Sequence, residues 1–348
     1  MSLVHLMLGI SLLIFTAFTQ AAAQNKAPLP QTQTQPTEQG LQITLDGKSL
    51  TAKNATAKPA STVASNEFRV GPPRFTLPFY LFNGHIMIDG AVNGRRGKFM
   101  FDTGTEFPFF LNNHYLGLAK DQFIARGSAG SGQEMVLYRQ TTPIDSIELG
   151  QQIRLDKVAG LPHADWDFLE QAYTPLFLGS IGHGFNKQYL FIIDYARQTI
   201  AFHRLDQPLE ALANVVDPAR LVTLFDFTPV GVDGKMPEVE LHVGDEPITT
   251  YFDTGNPGSL ELTESMKDSL VQRGDLILAR SEYSFGQYEP RVYARLKRLN
   301  HAGQALHDAD NLSFTIGPRN RIGLGYHFLK QYVSAWDYPQ QTLLLLQP

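Results

Sequence analysis

The sequence predicts an all-β protein of two similar lobes, and three observations carry that prediction. From Phe75 onward, short apolar runs alternate with Gly, Pro, Asn and Asp, the length and punctuation expected of β-strands. One set of motifs occurs twice in the same order along the chain. Helical patterns are few and short, over 112–121 and 263–273.

Composition bounds the chemistry. The chain has 348 residues, 34 acidic against 29 basic, with a formal net charge of −5. Its hydrophobic share of 43% is that of a globular chain, long enough for one large or two medium domains. The acidic balance gives no electrostatic reason for nucleic acid or an anionic membrane surface as partner. With no cysteine in the sequence, disulfide scaffolds, thiol nucleophiles and cysteine-ligated zinc are excluded. The 10 histidines show neither a His-Glu-x-x-His pattern nor regular ligand spacing, so neither a metal nor a cofactor is expected.

Taken in order, the first segment is 1–23, where the apolar run Leu6 to Phe18 precedes Thr19-Gln20-Ala21-Ala22-Ala23. That is the pattern of a signal peptide and predicts export to a periplasmic or extracellular space. If uncleaved, the same segment would anchor the chain to a membrane. Residues 24–75 are rich in Gln, Thr, Ala, Pro and Lys and read as a disordered tether, with too little apolar surface to offset chain entropy. The two lobes follow, at 76–205 and 206–348.

The repeat defines the lobes. Ile181 to Tyr195 aligns without a gap on Leu324 to Tyr338, with seven of fifteen positions identical, and Gln198-Thr199 then matches Gln341-Thr342. Upstream, Phe101-Asp102-Thr103-Gly104 corresponds to Phe252-Asp253-Thr254-Gly255. A unit of roughly 130 residues is thus used twice, near the usual size of a domain. Two such units can face each other across a pseudo-two-fold axis.

A single Asp-Thr-Gly is an ordinary turn at a strand end. Two copies behind apolar strands, inside a repeat, point to paired carboxylates. Two carboxylates meeting near the axis cannot both ionise, so they share one proton and titrate together. The ionised member can take a proton from a water while the other donates to a carbonyl, which is acyl hydrolysis without a covalent intermediate. Gly104 and Gly255 leave room for the backbone to approach the carboxylates. Thr103 and Thr254 can hydrogen-bond across the interface and hold the loops rigid.

On these motifs, with the apolar-Gly pairs Ile181-Gly182 and Leu324-Gly325, the chain resembles the aspartic peptidases of the pepsin and retropepsin type. More specifically, it looks like the bacterial retropepsin-like branch with two fused units. The resemblance spans about 270 residues, Phe75 to the C-terminus, two lobes each near domain size. It implies the bilobal aspartic-protease fold, with two β-barrel-like lobes. It also implies an endopeptidase with Asp102 and Asp253 as its dyad and Gly182 and Gly325 in psi-shaped crossings. The partner would be a polypeptide substrate in the cleft of a monomer; an inactive peptide-binding or cell-envelope module is the alternative. Thr105 and Asn256 depart from the small residue that usually follows the triplet. Thr105 is expected to donate its hydroxyl to Asp102, and Asn256 to offer an amide instead. Flaps are expected at Gly127, Ser128, Gly130 and Gly132 in one lobe and at Tyr283, Phe285 and Tyr288 in the other, covering a bound substrate.

Overall fold

The computed structural model describes residues 32–37, 40–45, 48–53, 72–128, 133–204, 217–231, 234–284 and 287–348. Two units separate, 1–53 and 54–348. The leader expected at 1–23 lies outside the described residues.

The first unit contains three antiparallel strands, Thr32–Thr37, Gly40–Leu45 and Lys48–Lys53. Thr32 pairs with Leu45 and Gly40 with Lys53. Leu41, Ile43 and Leu45 alternate with Gln42 and Thr44, the period of a strand. The stretch read as a disordered tether, 24–75, thus includes a small sheet. Its last residues also begin the strand Arg74–Pro78, which starts ahead of the lobe boundary expected at 76.

In the second unit the sequence repeat becomes a structural one. Arg95–Phe101 lies between an antiparallel neighbour, His85–Val92, and a parallel one, Phe177–Ile181. Glu246–Phe252 lies in the same way between antiparallel Met236–Val243 and parallel Arg321–Leu324. A further strand, Phe109–Asn112 in one half and Ser259–Leu262 in the other, runs antiparallel to the parallel neighbour. Each constellation sits in its own ten-stranded sheet.

A six-stranded sheet joins the halves. Its order is Leu221–Asp226, Thr342–Leu346, Val333–Asp337, Tyr189–Asp194, Thr199–Arg204 and Arg74–Pro78. The two matched segments of the repeat meet at its centre, with Phe191 opposite Trp336 and their rings stacked at 5.6 Å. Both side chains are fully buried. Aromatic burial of this kind dominates core energetics, so the seam between the lobes belongs to the core.

Helices are short. The one expected over 112–121 covers Asn113–Leu116 and ends at Gly117 in the left-handed region, φ 66°, a stop that glycine makes without steric cost. The one expected over 263–273 is Glu264–Gln272, capped by Thr263, whose side chain accepts the Met266 N–H. Three single-turn or slightly longer helices, Asp167–Ala172, His183–Asn186 and Tyr326–Leu329, carry no sequence pattern long enough to predict them. Among the described residues no helix is long and apolar enough to cross a membrane.

Candidate functional site

Each parallel strand pair delivers one aspartate. The Asp102 N–H donates to the Ile181 carbonyl at 2.9 Å, and the Asp253 N–H to the Leu324 carbonyl at 3.1 Å. The ladder therefore continues one residue past each strand and fixes where the carboxylate begins. Behind them, Gly182 and Gly325 allow the loops to cross. A Cβ at Gly182 would lie 2.4 Å from the carbonyl oxygens of Thr105 and Phe107, and one at Gly325 only 1.4 Å from that of Asn256. Only glycine fits either crossing.

The two loops meet. A Cβ on Gly104 would fall 2.7 Å from Oδ2 of Asp253, and one on Gly255 would fall 2.2 Å from Oδ1 of Asp102. Each carboxylate thus rests on the glycine of the opposite loop. The Gly104 N–H donates to Oδ1 of Asp102 at 2.8 Å, and the Gly255 N–H to Oδ1 of Asp253 at 2.9 Å.

Beneath them lies a reciprocal lock. The Thr103 N–H donates to Oγ1 of Thr254 at 3.0 Å, and the Thr254 N–H donates to Oγ1 of Thr103 at 3.0 Å. The Thr254 hydroxyl also donates to the Phe101 carbonyl at 3.0 Å. Both threonines are fully buried, where a broken hydrogen bond leaves an uncompensated polar group.

The symmetry stops at the following residue. Thr105 donates its hydroxyl to Oδ2 of Asp102 at 2.7 Å, as expected. Asn256 does not serve Asp253. Its amide donates to the Tyr251 hydroxyl at 3.1 Å and to Ser259 Oγ at 2.9 Å, while its oxygen accepts the Gly258 N–H at 3.0 Å. The expected Asn256 amide for the second carboxylate is therefore corrected: those donors brace its own loop. The Asp253 carboxyl is held well above the usual carboxylate range, first by withdrawal from water and then by the Asp102 charge. The two carboxyls share one proton and titrate as a pair. Lys235 acts against this shift.

Tyr195 and Tyr338, equivalent in the repeat, lie close enough to feel the Asp253 charge. Burial and that charge raise both phenols. The result is a proton donor and an acceptor side by side on a rigid floor, a pattern that suits one water, hydroxyl or amide of a bound molecule.

The flap positions form hairpins. Gly127 and Ser128 end the strand Gln122–Ser128, which pairs with Glu134–Arg139. Tyr283 lies in Leu276–Ser284 and Tyr288 in Gln287–Leu296, again paired. Gly130, Gly132 and Phe285 lie outside the described residues.

Four residues at the site have no local signature in the sequence. His85 Nε2 lies 3.2 Å from the Gly255 carbonyl and 3.3 Å from the Tyr173 hydroxyl. Lys235 Nζ donates to Glu106 Oε2 at 2.7 Å, one position beyond Thr105. The Gly255 and Lys235 partners stand 170 and 129 positions away, so spacing could not have paired them. Among the described residues no group of three or more His, Cys, Asp or Glu is placed to hold a metal.

No family model and no curated protein matches the chain. Solved structures do. Conglutin gamma, a basic 7S globulin from lupine seeds, is similar over 80% of this chain and 95% of its own, at 11% identity and a TM-score of 0.47. A basic 7S globulin from soybean is similar over 78% of this chain and 94% of its own, at 11% identity and a TM-score of 0.45. The expectation of an endopeptidase, and with it of a hydrolase or protease, is corrected to the architecture alone: these two structures are named as basic 7S globulins, and a likeness this distant carries no activity over to this chain. What stands is the architecture, a mostly β-sheet, partly barrel-like fold resembling the bilobal pepsin-like aspartic-protease fold.

Proposed function

We propose that this chain is a catalytically inactive binding module on the pepsin-like scaffold, holding an extended polypeptide between its lobes. The observation that carries this reading is the reciprocal Thr103–Thr254 lock. It fixes a floor on which Asp102 and Asp253 offer one acceptor and one shared proton to a passing backbone amide. An extended strand bound through its backbone draws affinity from such main-chain hydrogen bonds. Thr103, Gly104, Thr105, Thr254, Gly255 and Asn256 support that floor, Gly182 and Gly325 the crossings beneath it. The hairpins holding Gly127, Ser128, Tyr283 and Tyr288 are the proposed sides of the groove.

The paired Asp-Thr-Gly loops support the finer placement beside the retropepsin-like branch with two fused units. A pair closed within one chain supports a monomer, and the apolar leader supports export.

Fluorescein-labelled casein tests the function. The expected result is saturable binding from acid to neutral pH, with the label keeping its full size on prolonged incubation. Fragments produced by the unaltered chain, and lost with Asp102→Asn, overturn the reading.

A further inference from the structure

His85 follows a two-residue turn that leans on both lobes. Asn83 and Gly84 have φ of 48° and 80°, two left-handed residues that turn Tyr80–Phe82 into His85–Val92. The Asn83 amide donates to the Ala172 carbonyl of the same lobe at 3.4 Å. On the other side, a Cβ at Gly84 would lie 2.9 Å from the Tyr326 ring and 3.5 Å from Pro257. The turn is wedged against the second dyad loop.

His85 is 4% exposed, and each ring nitrogen faces a carbonyl. Nδ1 lies 3.1 Å from the Asn83 oxygen and Nε2 lies 3.2 Å from the Gly255 oxygen. A neutral imidazole has one N–H and serves one of them. With that proton on Nδ1, Nε2 accepts from Tyr173 and the Gly255 carbonyl faces a lone pair. With it on Nε2, the Asn83 carbonyl does. Only the imidazolium donates to both. Gly255 is also the residue whose N–H holds Asp253 and whose α-carbon abuts Asp102, so whatever holds its carbonyl orients the dyad loop.

We propose that His85 is a positioning residue of the inter-lobe site: its imidazolium ties Gly255 to the Asn83 turn of the opposite lobe, and loss of that proton breaks one of the two hydrogen bonds of the tie. The consequence for ligand rests on the peptide-binding reading: a polypeptide is held more tightly while the tie is made. The groups facing the ring are Asp102 from the first dyad loop, Tyr173 from beyond the helix Asp167–Ala172, and His327 from the helix Tyr326–Leu329. Burial works against the proton, and Asp102 and the carbonyls work for it. The net shift is downward, so the tie is made in acid and lost as pH rises through a value below 6.5.

The first measurement needs no ligand. In NMR titrations of the full chain, the Gly255 amide should shift with the same midpoint as the His85 ring, and His85→Gln should remove that response. The response should persist in Asp253→Asn, which takes the dyad's proton out of the profile. In the Asp253→Asn background, where the dyad's proton is out of the profile, casein affinity should fall about tenfold between acid and neutral pH, the scale of one charge-assisted hydrogen bond, and stay flat when His85→Gln is added. A Gly255 amide that ignores the His85 titration, or a pH slope in that background that survives His85→Gln, overturns the tie. If Gly255 follows His85 while casein binds at no pH, the tie stands and the peptide-binding reading falls.

Discussion

Thr254 shows how much of the site rests on single side chains. Its hydroxyl accepts from the Thr103 N–H and donates to the Phe101 carbonyl, and the residue is fully buried. Valine has nearly the same shape and neither function, so Thr254→Val leaves two buried backbone groups unpaired. The expected loss is about 2–4 kcal/mol, read as a lower urea midpoint with an unchanged slope. Asp253 bears on stability through its proton instead. Its pKa is raised in the folded chain, so folded protein binds that proton more tightly than unfolded protein does. The contribution is fully present below the unfolded value and is lost as pH rises through the raised one. Asp253→Asn should therefore be more stable than the unaltered chain at about pH 8 and gain little at about pH 3, below the ordinary carboxylate range. Equal gains at both would show that the carboxyl is not perturbed. Asparagine keeps the oxygen that accepts the Gly255 N–H.

At the scale of elements, what was legible in the sequence was whatever repeats locally. Asp102, Asp253, Gly182 and Gly325 stand in short motifs at the ends of apolar runs, and the structure places all four in equivalent strand crossings. Thr105 and Asn256 occupy equivalent positions, yet their partners differ because Tyr251 and Ser259 compete for the Asn256 amide. That competition depends on the fold of one lobe and leaves no trace in spacing. The His85 and Lys235 contacts are longer-range still and rest on how the lobes face each other. The strands within 24–75 were hidden for another reason: Gln and Thr dominate the composition, and the alternation of Leu41, Ile43 and Leu45 is only five residues long. The crossing itself is the most demanding element. At Gly325 an added methyl would overlap the Asn256 carbonyl oxygen, at 1.4 Å. Gly325 directly follows one strand end and Asn256 lies in the loop after another, the two ends held by the Asp253–Leu324 hydrogen bond. Gly325→Ala should cost at least the ~3 kcal/mol at the upper end of ordinary overpacking. A calorimetric midpoint within a degree or two of the unaltered chain would mean that the crossing is looser than the backbone indicates.

At the scale of the whole unit, the six-stranded sheet decides whether the lobes are independent. Its centre pairs Tyr189–Asp194 from one half with Val333–Asp337 from the other, and Arg74–Pro78 lies two strands from that seam. Cutting the chain between the halves would expose Phe191 on one side and Trp336 on the other, both fully buried against each other. It would also leave a long unpaired strand edge on each piece, the usual route to aggregation. The Glu106–Lys235 pair adds a polar contact between the halves, though a partly exposed ion pair contributes only about 1 kcal/mol or less. The apolar seam contributes more. Unfolding should therefore be one transition for residues 72–348 rather than two. The two tryptophans make this measurable, because Trp166 is buried in the first half and Trp336 at the seam. Trp166→Phe and Trp336→Phe each leave one reporter. In each variant, urea curves followed by fluorescence and by far-ultraviolet circular dichroism should coincide. If fluorescence from Trp166 moves at a urea concentration where the circular dichroism of the same variant is still native, the first lobe opens alone. The shared sheet would then not couple the halves.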